Sequence, residues 1–153
     1  QAELLSLGQE VELINLVESG LPLYDRTIER QDAYDETTRS FLDKSLAADA
    51  FVWVTPIYHN SYSSTLKNAL DWHHSTKFPG RVVGLASNGG DRSPQAADHL
   101  SLVARSQHML TIPTRVCTTE SDYDENLRVS DEAIKARITK FAKELVELAE
   151  QVR

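Results

Sequence analysis

Two kinds of hydrophobic pattern alternate along this chain. Short apolar runs at 11–16, 50–55, 81–86 and 112–117 suit strands buried on both faces. Between them lie longer segments, 2–7, 32–48, 63–75, 93–108 and 131 onward, with apolar residues every three or four positions. Phe41, Leu42 and Leu46 form one helical stripe, and Ile134, Ile138, Phe141, Leu145 and Leu148 form another. Punctuation agrees with this division. Gly8 stands where a helix C-cap belongs, Pro79–Gly80 marks a turn, Ser93–Pro94 opens a helix, and Asp131 can cap the last one. Strands alternating with helices predict an α/β domain, a parallel sheet with helices on both faces. The chain opens inside a helix, although a right-handed crossover helix follows a strand. The expectation is therefore one domain over 1–153 that is N-terminally incomplete.

The stretch Phe51–Trp72 concentrates the candidate chemistry. A buried strand runs to Pro56, which lacks the N–H that a central ladder needs. A hydroxyl-rich loop, Pro56–Ser64, leads into the next helix. Ligands of open α/β sheets bind at the carboxyl ends of the strands. The amides of this loop can hold an anion or the polar edge of a planar heterocycle, and Tyr58 and Tyr62 add aromatic surface. The same Ser and Thr residues equally suit a turn that only caps a helix. Ser87-Asn88-Gly89-Gly90 ends the next strand, and its glycines permit close approach or positive φ. It matches neither a dinucleotide G-x-G-x-x-G fingerprint nor a phosphate loop. His59 lies at the expected ligand mouth. His73 and His74 read as solvated helix residues, and His99 and His108 as structural ones. No Gly-x-Ser-x-Gly elbow is present. The acidic loop with Asp122, Asp124 and Glu125 lacks calcium-loop spacing and reads as a solvated charge run.

Composition narrows the function further. A net charge of −7 without a basic stripe argues against nucleic acid. Cys117 is the single cysteine, read as an inert core thiol, and no zinc spacing occurs. No apolar run has membrane-span length, and the N-terminus carries no signal-peptide pattern, so a cytoplasmic protein is expected.

Three motifs together resemble the NAD(P)H-dependent FMN reductase family of flavodoxin-like flavoproteins, which includes azo and quinone reductases. They are Thr55-Pro56-Ile57-Tyr58-His59-Asn60-Ser61 with Leu66-Lys67-Asn68-Ala69-Leu70-Asp71-Trp72, then Ala86-Ser87-Asn88-Gly89-Gly90, then Leu21-Pro22-Leu23-Tyr24-Asp25. The Leu66–Trp72 run in its context is the specific one. Ile57 replaces a more familiar Glu, and Asn60 stands where Gly is common. The family's first strand and its Ser/Arg-rich phosphate loop have no match. The resemblance implies a flavodoxin-like three-layer α/β/α fold, sheet order 2-1-3-4-5, with the first strand missing. It implies FMN as cofactor, NAD(P)H as co-substrate, and hydride transfer to flavin N5 followed by reduction of free flavin, a quinone, an azo compound or a similar small acceptor. The cofactor-binding residues implied are Pro56, Ile57, Tyr58, His59, Asn60, Ser61, Ser87, Asn88, Gly89 and Gly90, with no catalytic acid or base and no metal. A homodimer or homotetramer through the 64–74 helix is implied as well. Two alternatives stand: a flavodoxin-like electron carrier or flavin-binding interaction protein without NAD(P)H oxidation, and a scaffold that has lost its cofactor.

Overall fold

The apolar runs from residue 50 onward pair into a parallel sheet on which the periodic segments pack, but the 50–55 strand is not buried on both faces as expected, since Val52 and Val54 are exposed. The computed structural model describes residues 1–28, 33–73 and 77–153. Strand β1 (Ala50–Pro56) lies beside β2 (Val82–Asn88), in register from Ala50 opposite Val82 to Pro56 opposite Asn88. The expected last strand is divided into β3 (Leu110–Thr111) and β4 (Val116–Thr118), both parallel to β2. Pro113 explains the interruption, since it has no proton for the ladder. The next amide, Thr114, donates to Glu144 Oε2 at 3.0 Å instead.

The helices are α1 (Ala2–Ser6), α2 (Glu36–Ala47), α3 (Ser64–Asp71), α4 (Gln95–Ser106) and α5 (Glu132–Gln151). Their ends follow local chemistry. Asp35, Ser63 and Asp131 cap α2, α3 and α5 by accepting amide protons. Gly8 at φ +78° closes α1, and the amides of Gly8 and Gln9 return to the Leu5 and Leu4 carbonyls. His108 does the same for α4 at φ +58°, with its own amide and that of Met109 returning to Arg105 and Ala104. The expected start of α2 at residue 32 and the expected end of α3 beyond residue 73, with His74, lie outside the described residues.

One expected strand does not form. Val11–Leu16 takes up no strand and has no strand partner among the described residues, and Leu16 already lies in a turn. The order 2-1-3-4-5 separates it from β1 by one strand, and no described segment fills that place. Without a neighbour its backbone has no ladder to join. Ile14 and Leu16 still turn inward to pack on Tyr34, Phe41, Ala69 and Trp72. The rest of the order, β1-β2 and then β3 and β4, matches the last three strands expected. Among the described residues β1 has a strand neighbour on one side only.

Side-chain alternation divides the core. Trp53, Val83 and Leu85 face α3 and α4, packing with Leu66, Leu70, Ala97, Leu100 and Ala104. Val82 faces α5 with Phe141 and Leu145. Gly84 lies under the Phe141 ring, where a Cβ would fall 2.3 Å from Phe141 Cζ. This glycine is required for space, as a close approach in a strand demands.

His73 corrects a sequence expectation. It is buried, tilted against Phe78 at 4.4 Å between ring centres and stacked on Phe41 at 5.4 Å, with Nε2 3.1 Å from Ser45 Oγ. Burial pushes its pKa down to about 4, opposed by the Gln107 side chain. The histidine follows Trp72 at the end of α3, so the chain turns it under the helix and away from water. Cys117 is half-buried in β4, less enclosed than a core thiol.

Candidate functional site

The carboxyl ends of β1, β2 and β4 meet, and hydrogen bonds continue past the strand ends into the loops. Ile57 donates its amide to the Asn88 carbonyl at 2.9 Å, and Gly89 donates to Thr118 at 2.8 Å. The sheet register therefore positions both glycine-rich and hydroxyl-rich loops as one surface.

The first loop contains a tight turn. Tyr58 and Ser61 exchange both backbone bonds at 2.9 Å, with His59 at φ +48° and Asn60 at φ +63° between them. Two central residues of positive φ define a type I′ turn, a geometry that favours Gly or Asn. This accounts for Asn60: the position needs a residue that tolerates the left-handed region. The turn spends the Tyr58 and Ser61 amides on itself. Those of His59 and Asn60 have no acceptor among the described residues. Both residues are exposed, and Tyr58 is 61 % exposed beside them. The loop base is fixed separately, because Ser63 N donates to the buried Thr55 hydroxyl at 2.9 Å. Ser61 Oγ contacts His99 Nδ1 at 3.0 Å, which joins the turn to α4. His99 is thus a brace for the loop, consistent with a structural role.

The second loop packs against the first through Ile57. A Cβ on Gly90 would lie 3.4 Å from Ile57 Cδ1, and one on Gly89 3.7 Å from Ile57 Cβ. Gly89 has φ +114° and Gly90 φ +54°, so glycine here supplies conformation. Gly90 and Asn88 are exposed. Ser87 is buried and its hydroxyl has no partner among the described residues. Pro56 is exposed at the end of β1. The structure therefore brings the ten sequence-expected residues into two adjacent loops at neighbouring strand ends, with Ser87 buried, and only part of the set offers free donors.

Sequence reasoning missed four residues behind this mouth. The Thr118 hydroxyl lies 3.1 Å from Asn88 Oδ1, 3.3 Å from the Ser87 carbonyl and 2.9 Å from the Tyr123 hydroxyl. Arg92 grips Asp122 with two nitrogens and reaches Asp131 Oδ2 at 2.9 Å. Asp122 is fully buried, which corrects its reading as part of a solvated charge run. The Arg92 side chain holds its carboxyl below the usual carboxylate range. A signal existed: Thr119 and Asp122 have the spacing of a capping box, and both of its bonds form.

The donor set fits the edge of a planar heterocycle with oxygen and nitrogen acceptors. Free amides and an exposed aromatic ring on one loop lie next to a loop whose glycine carries no Cβ. No cluster of three metal-ligating side chains occurs among the described residues. A family model described as NADPH-dependent FMN reductase matches residues 1–124. The chain belongs to that family.

Both loops of the mouth fall within the matched segment. An FMN-dependent NADPH-azoreductase of Staphylococcus aureus is 36 % identical over 120 residues, which are 76 % of this chain and 64 % of that relative. The matched region thus spans less than two thirds of the relative's length. Solved structures share the fold. An oxidoreductase of Corynebacterium diphtheriae superposes with a TM-score of 0.78 at 21 % identity, over 98 % of this chain and 82 % of that one. A flavoenzyme NAD(P)H:(acceptor) oxidoreductase of Paracoccus denitrificans gives 0.77 at 20 % identity, over 97 % and 86 %. The FMN reductase fold is flavodoxin-like, so the parallel sheet described above has this architecture.

Two other parts of the family resemblance find a structural role. Asn68 Nδ2 and Trp72 Nε1 both donate to the Pro22 carbonyl, at 2.9 and 3.0 Å, and Tyr24 N donates to Asn68 Oδ1 at 2.8 Å. The Leu21–Asp25 segment and α3 are one unit, with Trp72 and Leu70 buried inside the chain.

Proposed function

We propose that this protein is an FMN-dependent NAD(P)H oxidoreductase that reduces a small acceptor: free flavin, a quinone or an azo compound. The observation that carries the reading is the pair of unspent amides at His59 and Asn60, in a loop whose Ile57 packs on exposed Gly90 of the neighbouring strand end, in a member of this family. The azoreductase name of the Staphylococcus relative supports an azo acceptor and NADPH as reductant.

FMN supplies the electron-transfer chemistry when bound, and the protein supplies binding, orientation and electrostatics. The His59 and Asn60 amides would hold the polar edge of the ring, and such donors favour negative charge that develops there. Pro56, Ile57 and Ser61 hold this turn in place. Tyr58 offers a flat apolar surface next to it. The Ser87–Gly90 loop would border the ring, and the lack of a Cβ at Gly90 leaves room for a second molecule to approach. No side chain is required as acid or base.

The reading includes a cytoplasmic location, where reduced nicotinamide is available. It also includes a homodimer or homotetramer through the exposed side of α3. Leu70 and Trp72 are committed to the interior, so that contact would use the half-exposed Lys67–Asp71 ion pair. Among the described residues no helix is long and apolar enough to cross a membrane.

The test is anaerobic mixing of the protein with FMN and NADPH. The expected result is loss of the flavin's visible absorbance at a rate proportional to protein, with return on adding an azo dye or quinone. Absence of bleaching by a preparation that demonstrably binds FMN would overturn the oxidoreductase reading.

A further inference from the structure

The loop Gly89–Arg92 adopts a conformation its own residues do not favour. Gly90, Asp91 and Arg92 have φ of +54°, +52° and +62° in succession, closed by Ser93 N donating to the Gly90 carbonyl at 2.9 Å. L-residues visit this region singly, at about 1–2 kcal/mol each. Only the first of the three is glycine. Strained backbone of this kind persists where surrounding contacts over-determine it.

The Arg92 side chain supplies those contacts. Its planar fork, suited to bidentate carboxylate binding, engages both oxygens of Asp122. Asp122 is 0 % exposed and also accepts the Thr119 amide at 2.8 Å. Its carbonyl accepts Ser130 N at 2.8 Å. The second Arg92 partner, Asp131, accepts the Ala133 and Ile134 amides at 2.8 and 3.0 Å as the cap of α5. Arg92 thus joins the left-handed turn to the exit of β4 and to the start of α5. The amides of Gly90 and Asp91 are meanwhile left without acceptors among the described residues.

We propose that Arg92 is a positioning residue: clamped on buried Asp122, it holds the Gly89–Arg92 turn in the left-handed form in which it borders the flavin. This rests on the flavoprotein reading above. Arg92 acts through the turn and needs no contact with the ring.

The test compares the wild-type chain with Arg92→Lys and with the double variant Arg92→Gln/Asp122→Asn. The double variant leaves no unpaired buried charge, and Asp122→Asn keeps the buried side chain's shape, so it protects against simple unfolding. FMN affinity is read by fluorescence quenching, and hydrogen exchange of the Ser93 amide, which closes the turn on the Gly90 carbonyl, is read without flavin. If the competent turn falls to a tenth of the population, the FMN dissociation constant rises about tenfold. Exchange at Ser93 accelerates in the double variant, while exchange in α3 and α4 is unchanged. Arg92→Lys, a point charge without the fork, restores only part of the affinity. Unchanged exchange at Ser93 overturns the clamp whether or not flavin binds. Equal FMN affinity in all three chains overturns its role in the site. Failure of the wild-type chain to bind FMN, with exchange accelerated as expected, would count against the flavoprotein reading and leave the clamp standing.

Discussion

At the residue scale, single positions show how burial changes chemistry. His73 is drawn as a polar residue by any composition argument, yet it lies among Phe41, Phe51 and Phe78. Its folded pKa near 4 lies below the ordinary 6.5, so the neutral ring is the folded form. The unfolded chain takes up this proton first as pH falls. The associated stability is fully present above about pH 6.5 and is lost as pH drops toward 4, by on the order of 3 kcal/mol. The depressed carboxylates of Asp35, Asp122 and Asp131 also favour the fold above their ordinary values, and that contribution is lost only as pH falls through the lowered ones. Urea midpoints measured from pH 7 to 4 should therefore decline in the wild type and decline much less in His73→Phe. The variant keeps the aromatic stack and leaves Ser45 bonded to the Phe41 carbonyl. Parallel profiles for the two chains would refute this account.

At the scale of elements, the sheet depends on close fit more than on strand propensity. Gly84 lets the Phe141 ring of α5 lie directly on β2. Phe141 is itself buried, so it has nowhere to retreat. Gly84→Ala should destabilise the chain by about 1–3 kcal/mol through overpacking, despite the better strand former. Thermal or urea denaturation checks this, and a neutral or stabilising result would show that α5 can slide. Helix α3 illustrates a different kind of economy. Its Asn68 and Trp72 look like surface signatures in sequence, but they bind the Pro22 carbonyl and hold the 21–25 segment down. The split between β3 and β4 follows the same logic, since Pro113 breaks the ladder and Glu144 takes the next amide.

At the scale of the whole molecule, the site is a property of the sheet. Three strands in one register end together, and bonds from Ile57 to Asn88 and from Gly89 to Thr118 continue their order into the loops. A ligand that binds only this assembled mouth must stabilise the entire fold. FMN at a hundredfold excess over its dissociation constant should add ~2.7 kcal/mol, a rise in melting temperature of about 5–10 °C for a chain of this size. Calorimetry with FMN, and with an unrelated anion as control, reads the effect directly. An equal rise with both would reduce it to non-specific ion binding.

Much of this was legible in the chain because it rests on local physics. Helical periods, capping residues and buried apolar runs place α2 to α5, β1 and β2 from neighbours within a few positions of one another. Asp131 caps α5 and Ser63 caps α3 for reasons internal to their own turns. The glycine loop and the Pro56–Ser61 loop were recognisable as strand ends, and the family motif gave them a shared purpose. Long-range partners decided the remainder. Val11–Leu16 has the composition of a strand, but a strand exists only where another edge meets it, and among the described residues none does. Asp122 reads as solvated until Arg92, thirty residues earlier, is brought against it. His73 reads as exposed until α2, β1 and Phe78 enclose it. The sequence alone determined which segments would be helices and where the loops at the strand ends would begin. Only the tertiary structure decided which amides remain unspent, because a backbone donor is free or satisfied according to the acceptor that folding brings to it.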